Sequence, residues 1–418
     1  MTQSPNAGLI GRLVQRVPVL LALPPPRFTV ARPTSPLSAV VAVVTVTLDD
    51  GGGRLSGLDR LAGGRRDRRA LSASRIVNVG WLEEPNDLLA GPRGRRLCFE
   101  LLPDSAGVLG WPMPVTSQLP SGLRADLEAA VAAAVPSLAT EGRSFAGLME
   151  AVNWAMYWQE PDETDRVLEH PLVQEILEPI AQAVAEDPES AWWVSPVALE
   201  EAQYVQWLDD PERPPPPIMS GARERLNAWR SATVIDEGRE RPADPTAPFT
   251  GSWWSTPAHA SIVTTTRALP NLGAVGLALV EDSMGVMSAR CWPLAAPPTS
   301  RVFEITCPDD WVALVSNYPL DVTESRRHDW WRVTGWADSW LIPDWADVAA
   351  DFDAVHLTVA GYLTTAGRIV RVAGEATLLA GWSPDETFWL NDVLREAGPT
   401  TRWRAEGGPT GWVAVLER

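Results

Sequence analysis

The run PDWADVAADFDAVHLTVAGY (343–362) carries both kinds of regular structure in this protein. Pro343 or Asp344 opens a helix over about 344–351, because proline and short acidic residues favour a helix start. A short FDA turn follows, then a strand whose side chains alternate between two faces. Val355, Leu357 and Val359 share one face. His356 and Thr358 share the other with Ala354 and Ala360. A helix passing directly into a strand predicts an α+β second half. The face bearing His356 is small and semi-polar, which leaves two readings of that histidine. It contacts a substrate or cofactor, or it is a core histidine bonded to a backbone carbonyl beneath tryptophan packing.

Working outward, apolar residues recur at helical spacing through the first half of the ordered pattern. Leu123, Leu127, Val131 and Val135 form one stripe, closed by Pro136. Leu148, Val152 and Met156 form a second, and HPLVQEILEPIAQAVAEDP (170–188) a third, with Pro179 as a potential kink. ALEEAQYVQWLDD (198–210) reads as a fourth helix, so 113–210 is expected to be a helical region. PERPPPPIMSG begins a stiff connector, and 211–250 holds that connector and one short helix at 222–231. Residues 251–418 are then the α+β domain. NLGAVGLALVED, GVMSARCW, RVFEITC, DAVHLTVAG, GRIVRVAG, EATLLAGW and DETFWL read as strands, and CPDDWVALVSNYP as a helix. The fold class expected is α+β, a helical N-terminal half followed by a mixed, mostly antiparallel sheet with short helices. Residues 1–112 differ: GRLSGLDRLAGGRRDRRALSASR (53–75) is Arg/Gly-rich without periodicity, and Met113 looks like a domain start. They are expected to be a poorly ordered or non-native extension outside the fold.

Charge sharpens this division. Residues 1–112 carry 14 Arg against 9 acids, whereas 113–418 carry 21 Arg against 44 acids. A body this acidic offers no broad face for nucleic acid, where phosphate neutralisation supplies most of the affinity. All 35 cationic residues are Arg. A phosphate-loop lysine, a kinase-type lysine and a Schiff-base lysine are therefore impossible. Cys98, Cys291 and Cys307 form no CxxC pair, and the four histidines form no HExxH. No metal and no structural cofactor are expected. No apolar run is long enough to span a bilayer, and no convincing secretion signal is present, so a cytoplasmic protein without membrane contact is expected. Tryptophan is abundant, at 21 residues, and serves either rigid core packing or stacking platforms.

Three segments nominate a site. SWWSTPAHASIV (252–263) sets Trp253, Ser255 and Thr256 beside aromatic walls that suit a planar ligand, or forms a turn capping a helix. ESRRHDWWRVTG (324–335) gathers Arg326, Arg327, His328 and Arg332 around two tryptophans. It can grip a phosphate or carboxylate, or neutralise the body's own acids. GWSPDETFWL (381–390) offers Asp385 and Glu386 at the start of a strand.

On WWSTPAHA (253–260), DWADVAADFDAVHLTV and the late acid near DET, residues 250–392 resemble the ADP-ribosyltransferase-like group. That resemblance implies a split α/β fold with NAD bound in a cleft as substrate. Ser255 and Thr256 would match the family's Ser-Thr strand and Glu386 its late catalytic glutamate, while no Arg before Trp253 matches well. Trp253, Arg326 and Arg327 would join Ser255 and Thr256 around the dinucleotide, with Glu386 and His356 as catalytic groups. The competing expectation is a non-enzymatic interaction protein of partner or immunity type, binding a protein or small-molecule ligand. A third is carbohydrate handling by tryptophan platforms and paired carboxylates.

Overall fold

Helices with local apolar stripes make up the first part of the chain in this computed structural model. It describes residues 86–103, 122–138, 140, 142–155, 160–207, 219–270, 272–281, 286–406 and 411–415. All of them fall within one compact unit, Ser74–Arg418. The helices are α1 (Asn86–Ala90), α2 (Pro92–Glu100), α3 (Leu123–Ala134), α4 (Arg143–Asn153), α5 (Glu163–Leu168) and α6 (Pro171–Glu186). Leu123, Leu127 and Val131 are buried on α3, and Leu148 and Val152 on α4, as their spacing predicts. Helix α6 runs through Pro179 without ending.

The expectation that residues 1–112 lie outside the fold fails at 86–103. Leu88, Leu89, Leu97, Cys98, Phe99, Leu101 and Leu102 all belong to the main core. Helix α2 packs against both α4 and α6. Arg93, Arg95 and Arg96 make this segment resemble the Arg-rich stretch before it and mask its apolar residues in the sequence. Each of these arginines meets an acid: Arg93 meets Glu281, Arg95 meets Glu169, and Arg96 meets Glu100, Asp162 and Asp165. The expectations for 1–85 and 104–112, and the proline run up to residue 218, lie outside the described residues.

The second correction concerns 198–210. Ala202–Trp207 is strand β1, not a helix. Its tyrosine, valine and tryptophan suit a pleated surface, and six consecutive register pairs with β4 (Ser288–Ala295) override its weak helical spacing. The helical and α+β regions therefore share a sheet. After β1 come α7 (Ala222–Glu237), β2 (Thr264–Leu269) and β3 (Gly273–Ala274). NLGAVGLALVED yields only β3 and a 3-10 turn at Val275–Leu277, because the Gly276 amide donates to the Thr266 hydroxyl instead of a ladder.

Beyond β4 the chain forms β5 (Val302–Ile305), α8 (Pro308–Asn317), β6 (Pro319–Asp321), α9 (Thr323–Thr334) and β7 (Leu341–Pro343). The opening stretch supplies α10 (Trp345–Asp351), β8 (Ala354–Leu357) and α11 (Val359–Thr365). Asp344 caps α10, its carboxylate accepting from the Ala346 and Asp347 amides while also holding Arg230 at 2.7 Å. The strand ends sooner than predicted. Thr358 caps α11 by accepting from the Gly361 amide at 2.9 Å, so Val359 and Ala360 are helical. Gly361 is required there, since a Cβ would stand 2.2 Å from the Ile305 carbonyl oxygen. The remaining strands are β9 (Ile369–Val372), β10 (Glu375–Leu378), β11 (Thr387–Trp389), β12 (Arg395–Glu396), β13 (Thr401–Ala405) and β14 (Trp412–Val415).

The main sheet has the order β14-β13-β4-β1-β2-β11-β8-β5, with β12 beside β4 and β3 beside β2. Among the described residues β5 and β8 are the only parallel pair of strands, so the fold is α+β with a mostly antiparallel sheet. Tryptophans fill the core behind it. Trp345 and Trp382 pack edge-on at 5.7 Å, Trp382 meets Phe388 at 5.0 Å, and Trp330 meets Trp340 at 5.1 Å.

Truncating Leu97, which is fully buried, tests whether 86–103 belongs to the fold. Leu97→Ala should lower unfolding free energy by about 2–5 kcal/mol in urea titrations, as for other buried leucines. A change below about 0.5 kcal/mol, the surface range, would place the segment outside the cooperative unit.

Candidate functional site

Strand register brings the polar interruptions of two apolar strands together. Glu304 on β5 pairs with His356 on β8, which pairs with Thr387 on β11. Directly paired side chains share a face. His356 Nδ1 lies 2.5 Å from Glu304 Oε2, and Nε2 lies 3.3 Å from Asp385 Oδ1. Asp385 in turn binds Arg267 of β2 twice, through the side-chain Nε at 2.6 Å and the backbone amide at 2.8 Å. The guanidinium also donates to the Ser195 and Pro196 carbonyls, each at 3.0 Å, and lies over the Trp192 ring. Glu304 accepts from the Val197 amide at 3.0 Å. Two carboxylates, one imidazole and one guanidinium thus form a quartet that fastens the 192–197 segment across the sheet.

Burial alone would lower the basicity of His356. The charge of Glu304 and the hydrogen bonds and charge of Asp385 outweigh it and push its pKa up to about 9. The doubly protonated ring is also the only form that donates to both carboxylates. At neutral pH His356 is therefore charged and has no free nitrogen with which to take a proton. This is the core reading with carboxylates in place of a backbone carbonyl.

Glu386 sits on the other side. It immediately precedes Thr387, so alternation turns its carboxyl away from His356. Asp385, with φ of 60°, adopts the left-handed conformation that a non-glycine residue rarely takes. The strained turn aims two adjacent acids at opposite faces. Burial raises the Glu386 pKa to about 7, the Thr264 hydroxyl and Ser383 amide offset this in part, and the charge of Glu281 adds to it. Glu281 accepts from the Tyr362 hydroxyl at 2.7 Å and faces Arg93 at 3.4 Å. Burial first, and then Glu281, hold the Tyr362 phenol well above its ordinary range. Glu386, Glu281, Tyr362 and Arg93 form a second cluster. Its carboxyl, titrating near neutrality, is suited to proton transfer.

The other nominated residues are structural ties. Ser255 is fully buried; its hydroxyl donates to the Ala380 carbonyl at 3.1 Å and accepts from the Ala380 amide at 3.0 Å. The Thr256 hydroxyl donates to the Gly381 carbonyl at 3.1 Å. Three neighbouring carbonyls accept from core side chains: Trp253 from Trp330 at 2.7 Å, Trp254 from Arg326 at 2.9 Å, and Ser255 from Trp345 at 3.0 Å. Arg326 is buried and hydrogen-bonded to the Ser325 hydroxyl, and burial lowers its pKa to about 10 against the charge of Glu237. Arg327 holds Glu324 and the Pro242 carbonyl. Ser255, Thr256 and Arg326 therefore tie down one strap through which the Trp253 carbonyl also binds the core, Arg327 fastens α9 to the loop at Pro242, and His356 and Glu386 lie on opposite faces of the sheet. The seven residues do not line one cleft. Among the described residues no group of three His, Cys, Asp or Glu side chains is arranged to hold a metal ion.

Glu304 and Arg267 escaped the sequence reading, although each left a trace. Glu304 is a lone charge inside the apolar strand VFEI, just as His356 is inside AVHL. Glu281, Tyr362 and Arg93 left none, because three distant segments meet there. No family model, curated protein or solved structure matches this chain.

Both faces predict a pH dependence with the same sign. For His356 the folded pKa of about 9 exceeds the unfolded value of about 6.5. Its stabilisation is complete below pH 6.5 and disappears as pH rises through 9. The unfolding free energy from urea titrations should fall over that interval by an amount on the order of a few kcal/mol, and His356→Gln should flatten the slope. For Glu386, ionisation costs stability as pH rises from about 4.5 to about 7. Glu386→Gln should consequently gain on the parent at pH 8 and match it at pH 4. Equal pH profiles for parent and variants would contradict these assignments.

Proposed function

We propose that this protein acts by recognition: it is an interaction protein that takes a partner strand along the outer edge of β14. The observation that carries this reading is the character of that edge. Strand β14 is the terminal strand of the sheet, pairs with β13, and meets no other strand among the described residues. Its sequence, WVAV, carries no charge, and Val413, Ala414 and Val415 are exposed. Sheet proteins usually blunt such edges with charges, prolines or bulges. An unblunted edge offers a row of backbone donors and acceptors to an extended segment of another chain, with apolar side chains setting specificity. Among the described residues no helix is long and apolar enough to cross a membrane.

A second reading keeps an enzyme in view, and Glu386 alone supports it. A carboxyl near pKa 7 beside Glu281, Tyr362 and Arg93 could stabilise oxocarbenium-like charge as nicotinamide leaves NAD. The inward-facing Ser255 and Thr256 weigh against the remainder of that site.

The variant Ala414→Glu separates the two readings, because the position is exposed, lies on the face away from Arg402 and Arg404, and should tolerate charge. Expected are an unchanged melting temperature and loss of a stoichiometric co-purifying partner. Val234→Glu/Ile235→Glu, exposed on α7, should retain the partner. Nicotinamide release from NAD that Glu386→Gln abolishes would overturn recognition in favour of the transferase.

A further inference from the structure

The face that carries the His356 quartet continues across the sheet, and there its charges are no longer balanced. Arg267 pairs with Ala202, which pairs with Leu294, so alternation places Tyr204, Gln206, Trp292, Arg290, Arg402 and Arg404 on the same face as Arg267. Gln206 pairs with Arg290, and Arg290 pairs with Arg402. Two guanidinium side chains thus start from directly opposed positions, with Cβ atoms about 4.5–5.5 Å apart, where like charges destabilise a sheet.

In a chain of net charge −18, arginine usually finds an acid. Arg93, Arg96, Arg230, Arg267, Arg301 and Arg332 all do so. Arg290 and Arg402 form no ion pair with a described residue. Their Nε atoms are buried without a hydrogen-bond partner, as is the indole Nε1 of Trp292. Gln206 is 9% exposed, and its buried Oε1 is likewise without a partner. Three donors and one acceptor are therefore unmet on three adjacent strands. Unmet buried polar groups are costly, and together with opposed cations they call for a specific complement.

We propose that Arg290, Arg402, Trp292 and Gln206 form a binding site for a small anion borne on a planar ring, the anion being a phosphate or a carboxylate. Guanidinium forks match the geometry of either anion. Trp292 and its cross-strand neighbour Tyr204 are half-buried and present ring surface to the planar part. Gln206 accepts from a ring N–H or amino group. A long polyanion is disfavoured because the acidic body repels it, whereas a single anion is neutralised within the site. This inference is independent of the β14 edge: it stands on other residues and needs no partner chain.

Calorimetric titration at low salt with inorganic phosphate, adenosine monophosphate and benzoate tests it and identifies the anion. Expected is saturable binding, tighter for a ring-bearing probe than for inorganic phosphate, and weakened about tenfold or more by Arg290→Gln or Arg402→Gln. Arg404→Gln should leave binding unchanged, since Arg404 already holds Glu406. Arg402→Glu should abolish binding and raise the melting temperature by giving Arg290 an acid, which also shows that the variant folds. Absence of binding by all three probes, equal binding by parent and both glutamine variants, or preference for an oligonucleotide over the mononucleotide would overturn the proposal. A lost partner strand in the β14 variant with these titrations unchanged would leave both sites standing separately.

Discussion

His356 lies between two carboxylates, and that contact holds the central sheet in place. Glu304 comes from β5, His356 from β8, and Asp385 from the turn before β11, while Arg267 brings in β2. A slip of one residue in any of these strands would turn a charge toward the tryptophan core on the opposite face. Removing one member of such a buried set leaves its partners uncompensated, which costs far more than the set contributes over an apolar equivalent. The quartet accordingly specifies register more than it adds stability. Because Ser195, Pro196 and Val197 bind its outer atoms, it also decides which half of the sheet is covered.

The strap at 253–257 is the counterpart behind the sheet. A buried indole needs an acceptor for its N–H, and seven tryptophans are among the largest fully buried side chains. Carbonyls of irregular backbone supply several of those acceptors, since their ladder partners are absent. Trp330 and Trp345 use Trp253 and Ser255 in this way. Gly381 is needed where the strap passes, its φ being +73° and a Cβ there falling 2.1 Å from the Trp254 ring. Residues that look like a ligand platform in the sequence are thus the scaffold that lets so many tryptophans be buried. Asp385 adds the remaining asymmetry. Its strained backbone sends one acid into the quartet and the next, Glu386, into a cluster where proton transfer near neutral pH is chemically available.

Charge and hydrogen bonding are matched closely in the quartet and poorly along the Arg290–Arg402 row. Edge strand β14 and the Arg290–Arg402 row lie toward the same end of the sheet. The proposed recognition draws on backbone and side-chain groups that the fold leaves unmatched, whereas the quartet is matched internally.

Helices were legible because their signal is local. Leu123, Leu127 and Val131, or Leu148 and Val152, fall on one stripe whatever the rest of the chain does. The helix–turn–strand at 344–357 was legible for the same reason, as were the α+β class and the exclusion of lysine chemistry. Strand β1 was misread because AQYVQW fits either period until β4 lies beside it. Helix α2 as a whole is hidden by its arginine pattern, and the end of β8 turns on one threonine cap. Nothing local could show that Ser255 faces inward, that Glu386 and His356 point apart, or that Arg290 meets Arg402 across 112 positions of sequence. Sequence by itself determined which segments are helical and which chemistries are impossible, since those depend on neighbours within a few residues. The tertiary structure alone decided which charges are paired, because sheet register joins residues whose separation along the chain carries no information about their contact.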